Sequence, residues 1–244
     1  VDLLYLYASD DGHAGRLSLH EFYAKLGERV TRAIDEATAE GIVFRVDLRL
    51  RPEGRSGAIC NSLGAAERYY ETFGRTWERQ VWLRARPSAG DPGLGEEARR
   101  RLEPFVYPRH LDPKKIDDVL SLRRLFVTEA EAQAGFDVKL ASGGIRDVEL
   151  VAQTLQLLHG GKKTDLRDAN TLRALDRLHV AGLLRGREQR ALGEAYRFWR
   201  RVEHRLQLED GAQTHRVPAG EVERHRLARR LGFAALDPFD ALVA

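Results

Sequence analysis

The chain is poor in the residues that build secreted scaffolds and membrane spans. Its 244 residues include one cysteine, Cys60, and no methionine. A single cysteine excludes an internal disulfide framework and a cysteine-based zinc site. No apolar run approaches the roughly 20 residues that a membrane-spanning helix needs, and no signal-peptide pattern opens the chain. These absences predict a cytoplasmic protein with no membrane partner.

A concentrated block of positive charge is also lacking. The 40 Lys and Arg residues are balanced by 37 Asp and Glu residues, for a net charge of +3, and the acids are interspersed along the chain. Nucleic-acid-binding domains more typically carry a basic stripe, so we expect no nucleic-acid partner and favour small anionic ligands or mixed protein surfaces. Because a strand-like run stands at Val1 and no methionine occurs, we expect a fragment of a longer protein.

Strand and helix signals alternate in the first part of the chain. Val1–Tyr7 is a nearly continuous apolar run that predicts a strand buried on both faces. Ser18 and Glu21 have the spacing of a capping box, and we expect the helix that they begin to end at Gly41. A second strand follows, so the predicted order is strand, helix, strand.

The rest of the chain changes character near Asp112. Before that residue we predict a strand over 58–62, a helix over 63–72, a helix or strand over 77–86, a loop over 87–95, a helix over 96–102 and an extended connector over 104–109. After it, helices are predicted over 114–134, 146–159, 171–181, 188–207 and 219–231. The sequence therefore predicts an α+β lobe over 1–112 and an all-α helical bundle over 113–244.

The second strand carries a lone carboxylate among arginines. Apolar and charged side chains alternate with the period of a strand that buries one face: Phe44, Val46, Leu48 and Leu50 alternate with Arg45, Asp47, Arg49 and Arg51. One carboxylate among three guanidinium groups suits a site for a metal-bound phosphate. The alternative is a solvated strand face that Arg–Asp pairs neutralise.

Asp2 is a second acid in an apolar setting. A carboxylate there needs a cation, a hydrogen-bonding partner or exposure at the end of the strand. Two carboxylates about 4 Å apart repel by roughly 4 kcal/mol at an effective dielectric near 20. If Asp2 and Asp47 lie on adjacent strands, a divalent cation removes that repulsion, and oxygen ligands without clustered His or Cys favour Mg²⁺ or Mn²⁺ over zinc.

The segment around Gly143 and Gly144 is the second candidate. Glycines directly before a helix leave backbone N–H groups open to an anion, and the dipole of the helix adds to the attraction. Arg146 and Glu149 are three residues apart and share a helix face; Lys139 lies just upstream. The alternative is an ordinary loop with an ion pair on the helix surface.

Several other charged and aromatic residues have structural interpretations. The three tryptophans, Trp77, Trp82 and Trp199, are expected in the core. The charged residues near the end of the long helix over 188–207 are expected on a solvated face that could contact a protein partner: Arg200, Arg201, Glu203 and Arg205.

Six segments together resemble one family of bacterial regulatory enzymes. They are VDLLYLY, FRVDLRLRPEGRSG, YYETFGRTWERQVWLRAR, EPFVYPRHLD, KLASGGIRDVEL and YRFWRRVEHRLQL. In content and spacing they resemble the glutamine synthetase adenylyltransferases, bifunctional enzymes with two related nucleotidyltransferase domains, from Val1 to about Pro218. The resemblance implies a polymerase-β-like mixed sheet lobe, truncated at its N-terminus, followed by a helical bundle. It matches Asp2 to the second aspartate of a Gly-Ser…Asp-x-Asp motif whose first members would precede Val1.

The resemblance also implies which residues act. It makes Asp2 and Asp47 catalytic metal ligands, and it gives a role in binding nucleotide or phosphate to Arg45, Arg49, Arg51, Lys139, Gly143, Gly144, Arg146 and Glu149. The cofactor that it implies is Mg²⁺ or Mn²⁺.

Three functions stay open within this resemblance. The segments PFVYPR, GGIRDVEL and EDGAQTHRVP favour the amino-terminal domain, which in the family removes AMP from a tyrosine of glutamine synthetase by phosphorolysis and releases ADP. One alternative is the domain that transfers AMP from ATP to glutamine synthetase. The other is a degenerate domain without catalysis that binds glutamine synthetase or the PII signalling protein.

Overall fold

The computed structural model describes residues 1–112, 114–210 and 214–243. They form two compact units that divide between Arg109 and His110, a few residues before Asp112, where the sequence predicts a boundary. Short strands occur with helices in the first unit, and helices dominate the second, which agrees with a mixed α+β chain. Among the described residues, no helix is both long and apolar enough to cross a membrane.

The first unit combines four short strands with four helices in its described residues. In chain order they are β1 (Tyr5–Tyr7), β2 (His13–Ala14), β3 (Leu17–Ser18), α1 (Leu19–Asp35), β4 (Cys60–Ser62), α2 (Leu63–Thr72), α3 (Thr76–Arg84) and α4 (Pro92–Val106). β1 pairs with β4 in parallel, with Tyr5 opposite Cys60, and β2 pairs with β3 as an antiparallel hairpin. A helix does lie between two strands, but the second strand is β4 and not the segment around Asp47, where the sequence predicts it, and the β2–β3 hairpin precedes the helix.

Helix α1 lies close against β4 because it carries a glycine at the contact. A Cβ on Gly27 would lie 2.6 Å from the sulfur of Cys60 and 3.1 Å from Ile59. Cys60 is 3% exposed, and burial raises the pKa of its thiol to about 11. The cysteine is therefore part of the packing between the helix and the strand.

The predicted start of α1 is confirmed and its predicted end is wrong. The hydroxyl of Ser18 accepts the N–H of Glu21 and the Glu21 carboxylate accepts the N–H of Ser18, which forms the capping box. The helix ends at Asp35, well before Gly41. Its last turn binds the following chain, because the Asp35 carboxylate accepts the N–H of Val46 at 2.7 Å.

The predicted strand over residues 44–51 is wrong. Within it, Asp47 alone forms a bridge, to Asp2, and Arg49 and Leu50 lie in a turn. The N–H of Phe44 donates to the carbonyl of Ile34 in α1 and is not part of a ladder. The face expected to be buried is only partly covered, since Phe44 is 57% exposed and Val46, Leu48 and Leu50 are half-buried.

The predicted extended connector over 104–109 is also wrong, because α4 continues through Pro104 to Val106. Phe105 and Val106 are 6% and 5% exposed, and the ring of Phe105 packs on Tyr70 at 5.1 Å between centroids. Burial of these side chains therefore outweighs the helix-breaking tendency of proline.

Helices form the second unit, whose described residues contain one isolated bridge, between Asp137 and Arg216, and no strand. The helices are α5 (Lys114–Glu131), α6 (Ile145–His159), α7 (Thr171–Val180), α8 (Gly186–Asp210), α9 (Glu221–Arg230) and α10 (Asp237–Val243). All five predicted helices are found. α10 was not predicted, although its Phe239 is fully buried, because seven residues are too short for a periodic signal.

Two clusters of apolar side chains form the core of the second unit. One joins the long helix α8 to α9 and α10 and includes Trp199 and Leu227. The other packs α6 against α7 and includes Val148 and Leu175. The loop that carries Gly143 and Gly144 leads into α6 and also contacts α8, because the indole N–H of Trp199 donates to the carbonyl of Gly143.

Candidate functional site

Asp2 and Asp47 are direct neighbours on adjacent extended segments. They form a parallel bridge, in which the N–H of Leu3 donates to the carbonyl of Asp47 at 3.0 Å and the N–H of Asp47 donates to the carbonyl of Val1 at 2.8 Å. Bridge partners of parallel segments project their side chains to the same face. The adjacency expected from the order of the elements is thus present, although the regular strand around Asp47 is not.

The carboxylate of Asp47 is held by Arg49. The Nε of Arg49 donates to both carboxylate oxygens, at 3.0 and 2.8 Å, and its backbone N–H donates at 2.9 Å. These hydrogen bonds lower the pKa of Asp47 to about 2. The side chain of Arg49 is 59% exposed and that of Asp47 is 21% exposed. Asp47 is therefore ionised at neutral pH, and its partner is largely exposed to solvent.

The two carboxylates fit a divalent cation of the magnesium type. Mg²⁺ in proteins is held by one or two carboxylates and completes its shell with water and substrate phosphates. Asp2 is exposed and Asp47 is half-buried, so both are accessible. Within the described ranges, no group of three or more His, Cys, Asp or Glu side chains could hold a metal. Asp2 and Asp47 thus supply a partial donor set of the right chemistry.

Arg45 and Arg51 have different surroundings. Arg45 is exposed and its charge helps to lower the pKa of Asp47. The guanidinium of Arg51 donates to the carbonyls of Leu48, Arg55 and Gly57, at 3.0 to 3.1 Å, and thereby closes the turn that follows. Phosphate binding by Arg51 stays a prediction, and in this geometry its guanidinium has a structural role.

The expectation that the backbone N–H groups before α6 are open to an anion is wrong. The N–H of Gly144 donates to the carbonyl of Ala141, and those of Ile145 and Arg146 donate to the carbonyls of Val138 and Lys139. The N–H of Gly143 donates to the carboxylate of Asp147 at 2.8 Å. An anion would find these donors occupied, so the side chains of this segment must carry any binding.

Gly144 is required for the shape of this loop. A Cβ on it would lie 2.7 Å from the carbonyl oxygen of Val138. Gly143 has a φ of 77°, which glycine adopts without strain. The two glycines therefore allow the chain to fold tightly before α6.

A buried arginine that the sequence reasoning missed also holds the loop. Arg123 on α5 is 8% exposed. Its Nε donates to Asp147 at 2.6 Å, and its terminal nitrogens donate to the carbonyls of Leu140 and Ala141 at 2.7 and 3.0 Å. A charged residue on a helix is usually solvated, so no pattern in the sequence marked this one as buried.

Arg146 and Glu149 share a face of α6, as the spacing predicts. They form an ion pair at 3.4 Å in which the arginine side chain is 53% exposed and the glutamate side chain is 5% exposed. The hydroxyl of Tyr196 on α8 also donates to Glu149, at 3.3 Å. The pair is therefore not a surface ion pair, because a buried carboxylate lies under an exposed guanidinium.

A similar pair on α8 corrects the prediction of a solvated face over 200–205. Glu203 is 3% exposed and pairs with Arg200 at 2.6 Å and with His215 at 3.1 Å. Burial raises the pKa of Glu203, but His215, Arg200 and Lys139 together lower it below its ordinary value. The signal that could have revealed it is the position of Glu203 between two core residues of the helix, Val202 and Leu206.

A hydrogen-bonded cluster that the sequence reasoning also missed joins the carboxyl ends of β1 and β4. The Asp10 carboxylate accepts the hydroxyls of Tyr7 and Ser62, at 2.5 and 2.6 Å, and these bonds lower the pKa of Asp10. Ser62 also accepts the N–H of Ala65 and so caps α2. The cluster fastens the loop after β1 to the start of α2.

Comparison with known proteins gives matches over both units. A family model described as glutamate-ammonia ligase adenylyltransferase matches residues 1–101, and one described as GlnD PII-uridylyltransferase matches residues 119–242. A protein named bifunctional glutamine synthetase adenylyltransferase/adenylyl-removing enzyme, from Xanthomonas campestris pv. campestris strain B100, is 44% identical over 96% of this chain. A protein of the same name from Stenotrophomonas maltophilia strain K279a is 41% identical over 100% of this chain. The chain belongs to the glutamate-ammonia ligase adenylyltransferase family.

These relatives are much longer than the chain. A third relative, from Burkholderia pseudomallei strain K96243, is 41% identical over 96% of this chain. The chain covers 25%, 26% and 27% of the three relatives, so it spans about a quarter of their length. The adenylyltransferase model lies within the unit that holds Asp2 and Asp47, and the uridylyltransferase model lies within the unit that holds Arg146 and Arg200.

Proposed function

We propose that this chain removes AMP from an adenylylated tyrosine of glutamine synthetase by metal-dependent phosphorolysis, with release of ADP. The observation that carries the proposal is the parallel bridge between Asp2 and Asp47. It puts two carboxylates on one face within the range that the adenylyltransferase family model matches. The names of the relatives supply the reaction class and glutamine synthetase as the partner.

The proposal assigns a nucleotidyltransferase-like fold to the first unit and a cytoplasmic location to the protein. Asp2 and Asp47 would hold Mg²⁺ or Mn²⁺, with further ligands from water and from phosphate oxygens. Such an ion would supply Lewis-acid stabilisation of the charge that develops on the phosphoryl oxygens. Arg49, which is paired with Asp47 and largely exposed, would exchange this carboxylate for a phosphate group when the ion binds.

The proposal also specifies the direction in which AMP is transferred. Removal of AMP is favoured by the segments PFVYPR, GGIRDVEL and EDGAQTHRVP, and part of the last segment lies outside the described residues. Transfer of AMP from ATP is the competing function, because the names of the relatives include both activities. A domain that binds PII without catalysis is a further candidate, supported by the match of residues 119–242 to a PII-uridylyltransferase model.

The test uses the longest natural form of the protein and glutamine synthetase that carries radiolabelled AMP. We expect labelled ADP to appear only when inorganic phosphate and Mg²⁺ or Mn²⁺ are both present. Release of labelled AMP without phosphate would contradict phosphorolysis.

The reverse assay supplies labelled ATP and unmodified glutamine synthetase. Label transfer that is lost in Asp47→Asn would assign the adenylylating function to this domain. Binding of glutamine synthetase or PII without either reaction would support the degenerate domain.

A further inference from the structure

Asp47 lies on an extended segment that is not part of a regular strand. Within the part of the chain that the structure describes, this segment pairs with its neighbour at the single bridge between Asp2 and Asp47. Mg²⁺ demands a near-octahedral arrangement of its ligands, and a binding group must be held within about 0.5 Å of its productive position. The backbone on either side of Asp47 must therefore be fixed by contacts other than a strand ladder.

The carboxylate of Asp35 holds the residue before Asp47. Its Oδ1 accepts the N–H of Val46 at 2.7 Å, and the neighbouring carbonyl of Ile34 accepts the N–H of Phe44 at 3.2 Å. Asp35 is the last residue of α1, where the helix dipole disfavours a negative charge. The hydrogen bond to Val46 gives this carboxylate a compensating interaction, and it joins the end of α1 to the segment that leads into Asp47.

The guanidinium of Arg51 holds the residue after Asp47. Its Nη1 donates to the carbonyl of Leu48 at 3.0 Å. Its Nε and Nη2 donate to the carbonyls of Gly57 and Arg55, both at 3.1 Å. One side chain thus ties Leu48 to the far end of the turn that leads toward β4.

The turn that Arg51 closes is strained. Glu53 has a φ of 60°, in the left-handed region that glycine prefers, and a Cβ on Gly57 would overlap the carbonyl oxygen of Pro52. Strained backbone persists only where the surrounding contacts over-determine it. The three hydrogen bonds from Arg51 are such contacts, so its guanidinium is engaged by the turn.

We propose that Asp35 and Arg51 are positioning residues, which hold Asp47 in the place where it binds a divalent cation. The inference rests on the proposed function for the metal role of Asp47, and it makes neither Asp35 nor Arg51 a ligand. It differs from phosphate binding by Arg51 in what each change should affect. Loss of either contact should weaken metal binding and leave the KM for phosphate nearly unchanged.

Binding of Mn²⁺ tests the role of Asp35 without any catalysis. The probe is the free-ion signal of Mn²⁺ in electron paramagnetic resonance, measured with the longest natural form of the protein, and the binding that Asp47→Asn removes is assigned to this site. Asp35→Ala should raise the Kd of that site by about threefold to tenfold, the factor that corresponds to one lost hydrogen bond. Glu36→Ala is the matched control, because Glu36 is the exposed acid next to Asp35, and it should change the Kd by less than about twofold.

Asp35→Asn separates the hydrogen bond from the charge. Its amide oxygen still accepts the N–H of Val46, although the negative charge is gone, so we expect a Kd within about twofold of the wild-type value. Equal weakening in Asp35→Asn and Asp35→Ala would show that the charge alone matters, and it would overturn the positioning role of Asp35.

Arg51→Gln separates positioning from phosphate binding. It should raise the Kd for Mn²⁺ at least as much as Asp35→Ala does, because three carbonyls lose their donor, and it should change the KM for phosphate by less than about twofold. Arg55→Gln, at an exposed position in the same turn, is the control and should change neither. A tenfold rise in the KM for phosphate with unchanged Mn²⁺ binding would assign phosphate to Arg51 and overturn its positioning role.

Hydrogen exchange guards against misfolding of the variants. In folded Asp35→Ala, the amide of Val46 should exchange faster than in the wild-type protein, while the amides of β1 and β4 keep their protection. Unchanged exchange at Val46 would overturn the inference, because Asp35 would then not hold the segment. Mn²⁺ binding that is lost in Asp47→Asn but unaffected in Asp35→Ala and Arg51→Gln would overturn the inference alone, whereas binding that Asp47→Asn leaves unchanged would overturn the proposed metal role as well.

Discussion

Charged residues in this chain are stabilised in two physically different ways. Asp47 lies near the surface and is ionised because Arg49 holds both of its oxygens. Glu203 is buried and is ionised because neighbouring cations outweigh the cost of its burial. A surface pair contributes little to stability, whereas an unpaired buried charge costs much.

The Asp47–Arg49 pair should make the stability of the folded protein depend on pH in the acid range. The pKa of Asp47 is lowered from 3.8 to about 2 in the folded state, so its contribution to stability is present above pH 3.8 and is lost as the pH falls through 2. We expect Asp47→Asn to be less stable than the wild-type protein at pH 5, by less than about 1 kcal/mol because Arg49 is mostly exposed, and we expect this difference to shrink as the pH falls to 2. Urea unfolding at both pH values measures this difference; a difference that does not change with pH would contradict the assignment.

Replacement of Arg123 should lower the free energy of unfolding more than replacement of its neighbour Arg124. Arg123→Met leaves the carboxylate of Asp147 and two loop carbonyls without their donor. Because the Asp147 side chain is 34% exposed and can be solvated, the cost comes mainly from the unsatisfied carbonyls and should be about 1–3 kcal/mol. Arg124→Met, at an exposed position on the same helix, should cost less than about 0.5 kcal/mol. Denaturant unfolding of the two variants makes the comparison, and equal losses would show that Arg123 does not hold the loop.

Local spacing predicted some site residues and could not predict others. The pairing of Arg146 with Glu149 follows from helical spacing, and the meeting of Asp2 and Asp47 follows from the order of the elements. The burial of Arg123 depends on residues 17 to 24 positions away in the chain. No pattern on its own helix contains that information.

Elements whose ends are set by local chemistry were predicted well, and those set by distant contacts were not. The capping box of Ser18 and Glu21 marks the start of α1 by itself. The alternation over residues 44–51 satisfies the same kind of local rule, but two of its N–H groups, those of Phe44 and Val46, donate to the last turn of α1. The helix end and a strand ladder compete for the same N–H groups, and the sequence pattern of either element alone does not reveal this competition.

Two helix glycines should respond in opposite ways to alanine. Gly27→Ala in α1 places a Cβ 2.6 Å from the sulfur of Cys60 and should destabilise the protein. Gly193→Ala in α8 meets nothing closer than 3.4 Å, at the mobile end of Arg197, and should stabilise it by up to about 1 kcal/mol through helix propensity. Melting temperatures measure both, and stabilisation by Gly27→Ala would contradict the close packing of α1 on β4.

On the scale of the whole molecule, the proposed metal chemistry belongs to the first unit alone. Asp2 and Asp47, which would hold Mg²⁺ or Mn²⁺, both lie in that unit. Asp47→Asn should therefore raise the concentration of Mg²⁺ or Mn²⁺ needed for half-maximal rate, with a smaller change in the KM for phosphate. Steady-state kinetics with the metal and phosphate varied separately measures both, and an unchanged metal requirement would contradict the role of Asp47.

In the proposed function, Asp2 and Asp47 support metal-dependent removal of AMP by phosphate. Its most direct test is the rate of phosphate-dependent ADP release from adenylylated glutamine synthetase by the wild-type protein, by Asp47→Asn and by the control Asp11→Asn, an exposed loop aspartate. We predict a loss on the order of 100-fold or more in Asp47→Asn, since metal stabilisation of the transition state amounts to several kcal/mol, and a near wild-type rate in Asp11→Asn. An Asp47→Asn protein that releases ADP at the wild-type rate, with an unchanged requirement for the metal, would contradict the claim.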